Sequence, residues 1–216
     1  MIDSYKHKGL RKQLVESVKN KGIKDEGVLE AIGKIPRHLF LDSTFQNHAY
    51  EDKPFPIGAG QTISQPYTVA FQTELLKINR RDKVLEVGTG SGYQACVLLE
   101  LGAVVFTIER QKSLFQKTKL FLPAIGYNPR FFFGDGYKGL PAFAPFDKII
   151  VTAGAPYVPE MLLEQLKNGG IMVIPVGMGD TQNMITISKT LEGGIIKKEH
   201  GTFRFVPLLE NKANDK

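Results

Sequence analysis

Val84-Leu85-Glu86-Val87-Gly88-Thr89-Gly90-Ser91-Gly92 is an apolar run that empties into three alternating glycines and then into the helix-like stretch from Tyr93 to Leu101. A buried strand, a glycine turn and a helix, in that order, form the context in which such a turn holds a nucleotide. Spacing narrows the ligand. Dinucleotide folds use G-x-G-x-x-G, whose glycines let backbone amides approach a pyrophosphate at the helix N-terminus. Here the third glycine arrives one residue early, at Gly92. Glu86 places a negative charge where it would repel a pyrophosphate and attract a cationic amino group. A ligand with an amino-acid moiety and no phosphate is expected.

Downstream, β-rich runs, turns and helix-like segments alternate, the pattern of parallel α/β units. Strands are predicted at Lys83–Val87, Val104–Ile108, Arg130–Phe133, Lys148–Val151 and Ile171–Pro175, with helices at Tyr93–Leu101, Gln111–Leu122 and Pro159–Leu166. Their Val- and Ile-rich character suits strands covered on both faces. Met184–Lys189 and Ile195–Lys198, around Gly193-Gly194, read as an antiparallel closing pair. The second strand runs into Glu109, 21 residues after Gly88, where a carboxylate can hold a ribose. The third runs into Gly134-Asp135-Gly136, where Asp135 can accept from an adenine amino group. Helix capping is the alternative for these acids, but three at successive strand ends beside the glycine turn form a specific set.

Upstream, Leu10, Leu14 and Val18 mark one face of a helix over residues 4–20, and a shorter helix is predicted from Asp25 to Ile32. From Lys34 to Ser64, Pro36, Pro54, Pro56, Gly58 and Gly60 break regular structure, predicting a long ordered surface segment. Ser64 reads as the N-cap of a helix that carries Pro66 in its first turn and continues to about Leu76.

Composition bounds the rest. The 216 residues, 42% hydrophobic and 23% charged, with 22 Gly and 12 Pro, exclude disorder, collagen and coiled coil as the main state. One domain over 1–216 is expected, comprising a helical and substrate-loop region (1–76), a cofactor-binding core (77–190) and a C-terminal strand and tail (191–216). No apolar stretch approaches the roughly 20 residues of a membrane-spanning helix, and Met1 to Lys8 lacks the pattern of a secretory signal, so a cytoplasmic protein is expected. The single cysteine, Cys96, reads as a buried hydrophobe. The net charge of +6 comes without a dense basic run and reads as a solvated surface. The histidines show no metal-ligand spacing, so no metal is expected, and His38 reads as structural.

The glycine turn with Glu86, Glu109 and Asp135 resembles the S-adenosylmethionine-dependent methyltransferases of Rossmann-like fold. A doubly wound α/β, mostly parallel sheet with an N-terminal helical extension is therefore expected. On that resemblance Glu86, Gly88, Gly90, Gly92, Glu109, Asp135 and Gly136 are the candidate cofactor-binding residues, for S-adenosyl-L-methionine and its product S-adenosyl-L-homocysteine.

Amino-methylating nucleic-acid enzymes of this fold place an Asn or Asp, two prolines and an aromatic after the fourth strand. Val151-Thr152-Ala153-Gly154-Ala155-Pro156 stands there instead. The segments Ile35-Pro36-Arg37-His38-Leu39-Phe40, Pro54-Phe55-Pro56-Ile57-Gly58 and Gly60-Gln61-Thr62-Ile63-Ser64-Gln65-Pro66-Tyr67, with Phe205-Val206-Pro207-Leu208 further on, resemble the protein-L-isoaspartate O-methyltransferases. The likeness covers roughly residues 30–210, and the Gln-Thr-Ile-Ser-Gln-Pro block is its family-specific part.

That resemblance implies methyl transfer to the free α-carboxylate of L-isoaspartyl residues, and to the β-carboxylate of D-aspartyl residues, in damaged proteins and peptides. The ester then collapses spontaneously to a succinimide. It also implies a functional role for Ser64, with Thr62 beside it in the cofactor pocket and Arg204 flanking. A monomer that binds neither nucleic acid nor membrane is expected. Another methyltransferase acting on RNA or a small molecule, or a nonenzymatic basic nucleic-acid-binding module, are the alternatives. The first is opposed by the block from Gly60 to Pro66, the second by the three strand-end acids it leaves unexplained.

Overall fold

The computed structural model describes residues 3–213. Met1, Ile2 and residues 214–216, on which the N-terminal reading and the end of the tail partly fall, lie outside the described residues.

The chain opens with α1 (Tyr5–Asn20), capped by a reciprocal pair in which Ser4 Oγ accepts from the His7 amide and His7 Nδ1 accepts from the Ser4 amide. Asp25 caps α2 (Glu26–Lys34) through the Val28 amide. Two 3₁₀ turns, Arg37–Phe40 and Ser43–His48, lead to a hairpin of β1 (Phe55–Gly58) and β2 (Gln61–Ile63), then α3 (Pro66–Leu76). Thereafter β3 (Lys83–Val87), α4 (Tyr93–Glu100), β4 (Val104–Glu109), α5 (Lys112–Ala124), β5 (Arg130–Phe133), β6 (Phe146–Val151), α6 (Glu160–Gln165), β7 (Leu166–Val176), β8 (Gln182–Lys189) and β9 (Ile195–Phe203) follow.

The seven strands from β3 to β9 form one sheet in the order β5-β4-β3-β6-β7-β8-β9, parallel from β5 to β7 and antiparallel at its last two pairings. Period-two alternation divides its core. Val84, Val105, Ile150, Val173 and Met184 pack with the helical side. Leu85, Val87, Phe106, Ile108, Val151, Met172 and Ile174 pack with Leu162 of α6 and the connections on the other face. Strand order reverses at β3, which lies between β4 and β6, so a crevice opens outside its carboxyl end.

Two expectations are corrected. The segment 34–64 is not an irregular surface stretch. Gly58, Ala59 and Gly60 all adopt positive φ and close the β1-β2 hairpin, while Phe40, Leu41, Tyr50, Ile57 and Ile63 are buried. And Ser64 is not the N-cap of α3. Pro66 occupies the first helical position, which makes Gln65 the cap, and Gln65 makes no side-chain cap bond.

The N-terminal helices are tied down by polar contacts. The Arg11 fork grips both Asp3 oxygens (2.9 and 3.1 Å) and also reaches Gly33 O (2.7 Å) and Tyr50 Oη (3.1 Å), which is 2.7 Å from His38 Nδ1. Burial pulls His38 down to about 4, so its ring is neutral at pH 7. Ligand-type atoms of Asp3, His7 and His38 come within 4.8 Å of one another. Arg11 already engages the carboxylate, however, and the two imidazoles stack face to face at 3.8 Å, an arrangement in which their in-plane lone pairs do not converge on one ion.

Candidate active site

Gly88, Gly90 and Gly92 all have positive φ (99°, 51° and 83°), which lets the chain turn sharply from β3 into α4. The turn is pinned from several sides. Thr152 Oγ1 donates to Gly88 O (2.7 Å) and Val87 O (3.0 Å), Thr118 Oγ1 to Gly90 O (2.7 Å), and the Gly90 amide to Glu109 Oε2 (2.8 Å). Side chains leave no room at two of the glycines: a Cβ on Gly88 would collide with Thr152 Oγ1, and one on Gly92 would meet Leu122 Cδ1 at 2.7 Å and Thr118 Cγ2 at 2.8 Å.

A cleft opens over this turn. Its walls include Thr62, Ser64, Gly88, Thr89, Gly90, Tyr93, Glu109, Gly136 and Thr152, with Val206 to Leu209 across from them. Thr62, Ser64, Thr152 and Val206 also line a second, wider groove shared with Lys21, Pro54, Tyr67, Phe203 and Arg204. Two of the sequence-predicted residues, Thr62 and Ser64, therefore stand at the junction of two cavities. Neither hydroxyl has a hydrogen-bond partner among the described residues. Arg204, expected beside the pocket, lies in the outer groove and is exposed.

Three predicted residues do not line the cleft. Glu86 shares the helix-facing side of β3 with Val84 and is fully buried; Thr107 Oγ1 donates to its Oε2 (2.5 Å) and its Oε1 has no partner. Burial pushes Glu86 up to about 8, so it is protonated at neutral pH and presents no negative charge to an amino group. Gly92 sits behind the turn, where it lets α5 pack against α4. Asp135 faces the chain's own backbone, its oxygens accepting from the Tyr137 and Asn211 amides (both 3.0 Å). Glu109 does line the cleft, at a strand end, but its oxygens accept from the Gly90 and Gln111 amides (both 2.8 Å).

Tyr93, Thr152 and the stretch Val206–Leu209 were not singled out from the sequence as site residues. Tyr93 directly follows the glycine turn and Val206-Pro207-Leu208 lies in a quoted motif, so both carried a positional signal; Thr152 reaches the site only through the pairing of β3 with β6. The stretch is held in place by the Gly154 amide, which donates to Val206 O (2.8 Å), and by the Leu208 amide, which donates to Gly154 O (2.7 Å).

A mostly parallel sheet with an alternating glycine turn at its switch point, a strand-end acid in the cleft and glycines whose missing Cβ atoms keep the cradle open defines the Rossmann-like S-adenosylmethionine-dependent methyltransferases. Solved structures agree. One described as a protein-L-isoaspartate O-methyltransferase superposes with a TM-score of 0.84 at 30% identity, over 93% of this chain and 66% of that one. Another, from Plasmodium falciparum in complex with S-adenosyl-L-homocysteine and described by sequence as a beta-aspartate methyltransferase (PCMT), gives 0.79 at 28% identity, over 93% and 99%. The protein-L-isoaspartate O-methyltransferase of Christiangramia forsetii is 63% identical over 213 residues, 98% of this chain and 100% of that one. That of Cytophaga hutchinsonii is 61% identical over 209 residues, 97% and 95% respectively. The family profile described as Protein-L-isoaspartate(D-aspartate) O-methyltransferase (PCMT) matches residues 9–213, and the chain belongs to that family.

Proposed function

We propose that the protein methylates the α-carboxylate of L-isoaspartyl residues, and the β-carboxylate of D-aspartyl residues, in damaged proteins and peptides, at the junction where Thr62 and Ser64 stand. The observation that carries this reading is that these two hydroxyls line both the inner cleft over the glycine turn and the outer groove, and are free to bond a ligand in either.

When bound, S-adenosyl-L-methionine supplies an electrophilic methyl group on a sulfonium centre. Gly88, Gly90 and Gly136 would hold it along the backbone, and Glu109 at the end of β4 would accept from its hydroxyls. Glu86, Gly92 and Asp135 act one layer behind, fixing the turn, the helix packing and the C-terminal tail. Ser64 Oγ donates to the acceptor carboxylate, which Arg204 at the groove draws in. A carboxyl group with an ordinary value near 4 is already ionised at pH 7, so the site needs no general base. What the residues provide is alignment and exclusion of water, worth several kcal/mol in a well-oriented reaction.

The chain acts as one methyltransferase domain, as a monomer in the cytoplasm, on peptide rather than nucleic acid. Among the described residues no helix is long and apolar enough to cross a membrane. The test uses methyl-labelled S-adenosyl-L-methionine and two peptides that differ only in one L-isoaspartyl or L-aspartyl linkage. Base-labile label on the isoaspartyl peptide alone is expected. Ser64→Ala should cut kcat/KM by about 10- to 100-fold, the worth of a hydrogen bond to a charged group, with unchanged affinity for S-adenosyl-L-homocysteine. No label on either peptide, with added S-adenosyl-L-homocysteine still bound, would overturn the assignment of substrate.

A further inference from the structure

Arg37 is fully buried, yet its guanidinium is far from satisfied. Nη2 donates to Ser64 O (3.0 Å) and Lys53 O (3.2 Å), the guanidinium carbon lies 4.9 Å from the centre of the Tyr93 ring, and Nε and Nη1 have no partner. Tyr93 Oη is likewise buried, outside normal hydrogen-bond geometry but near enough to the guanidinium to favour its charge. Among the described residues no carboxylate pairs with this cation; Asp52, the nearest acid felt by it, is engaged by Lys21 Nζ (2.5 Å), the Tyr67 amide (2.7 Å) and Gln65 Nε2 (3.0 Å). Burial pulls Arg37 down to about 10, which still leaves it charged at neutral pH.

An uncompensated buried cation is costly to keep unless something completes it. Two of its contacts, Ser64 and Tyr93, line the cofactor cleft, and Ser64 and Pro54 line the outer groove. We propose that Arg37 is a positioning residue for the acceptor carboxylate: its Nη2 holds the Ser64 and Lys53 carbonyls while the guanidinium packs against the Tyr93 ring, and the counter-charge it lacks arrives with the substrate. This rests on the reading that Ser64 receives the carboxylate. Lysine is only a partial substitute: its ammonium can bond the two carbonyls, but it is a point charge on a flexible stem and offers no planar group to pack against the ring.

The test compares wild type, Arg37→Met and Arg37→Lys for kcat and KM with the isoaspartyl peptide, and for the Kd of S-adenosyl-L-homocysteine by calorimetry, with circular dichroism as the check on folding. Arg37→Met should lower kcat/KM by about 100-fold while the Kd stays within about threefold, and Arg37→Lys should recover about tenfold of that loss. A folded Arg37→Met with kcat/KM near wild type overturns the proposal, as does a parallel loss of S-adenosyl-L-homocysteine affinity, which marks a merely structural role. If Arg37→Met does not fold, Arg37→Lys decides: a drop of about fivefold or more with unchanged Kd supports the proposal, while unchanged kcat/KM or failure to fold overturns it. Wild-type protein that labels neither peptide overturns the reading of Ser64 and this proposal with it, whereas active wild type with insensitive Arg37 variants overturns this proposal alone.

Discussion

Replacing Glu86 with glutamine should stabilise the protein by an amount that grows with pH. Burial, with a smaller push from the nearby Glu109 carboxylate, moves the folded-state value from 4.5 to about 8. Between those values the folded protein holds a proton that the unfolded chain has released, so stability is fully present below the lower one and falls as pH rises through the upper. At about 1.4 kcal/mol per pH unit the loss approaches about 5 kcal/mol above pH 8, and about 3 kcal/mol of it falls between about pH 5.5 and 8.5. The amide of the Glu86→Gln variant would not titrate, and its carbonyl can still accept from Thr107 Oγ1. Urea denaturation of both proteins, followed by circular dichroism across that range, should show their stabilities diverging by about 3 kcal/mol. A gap constant to within about 1 kcal/mol would refute the reasoning, because it would mean that Glu86 ionises alike in both states.

Gly88→Ala puts a Cβ against Thr152 Oγ1 at φ 99°, so the affinity for S-adenosyl-L-homocysteine should fall by about 30-fold in calorimetry; affinity within about threefold of wild type would show that the turn relaxes freely. Asp135→Ala removes the acceptor for the Asn211 amide, and tryptic cleavage at Lys212 should quicken by about tenfold; an unchanged rate would mean that the tail is held elsewhere. Cys96 is fully buried and its thiol is pushed well above the ordinary value, first by desolvation. A disulfide reagent should leave it unmodified in the native protein and titrate it once denatured, so rapid native labelling would count against this packing.

The elements from Lys83 onward were readable because each is announced locally, by a branched apolar run, a glycine or a helical period. The order in which the strands line up was not, since it depends on contacts between distant residues. Glu86 shows a signal present but unused: two-residue alternation pairs it with Val84 on the helix-facing side, away from the cleft. Ser64 was misplaced by one residue because its chemistry suits a cap better than that of Gln65, yet Pro66 in the first helical position decided the matter. The hairpin before it was hidden by the very prolines and glycines that build it. Arg37 announced itself only as a lone charge among Ile35, Leu39 and Phe40, and nothing local tells which backbone it grips.

The stretch that faces the glycine turn across the cleft comes very late in the chain. Val206 to Leu209 bridge to Gly154, and Glu210 to Ala213 are laced to Arg110, Lys112 and Asp135. A chain shortened to residues 1–200 would keep every parallel strand and the whole glycine cradle, but its cavity would lack one wall. Losing that wall would leave the shape of the enzyme around an incomplete ligand site.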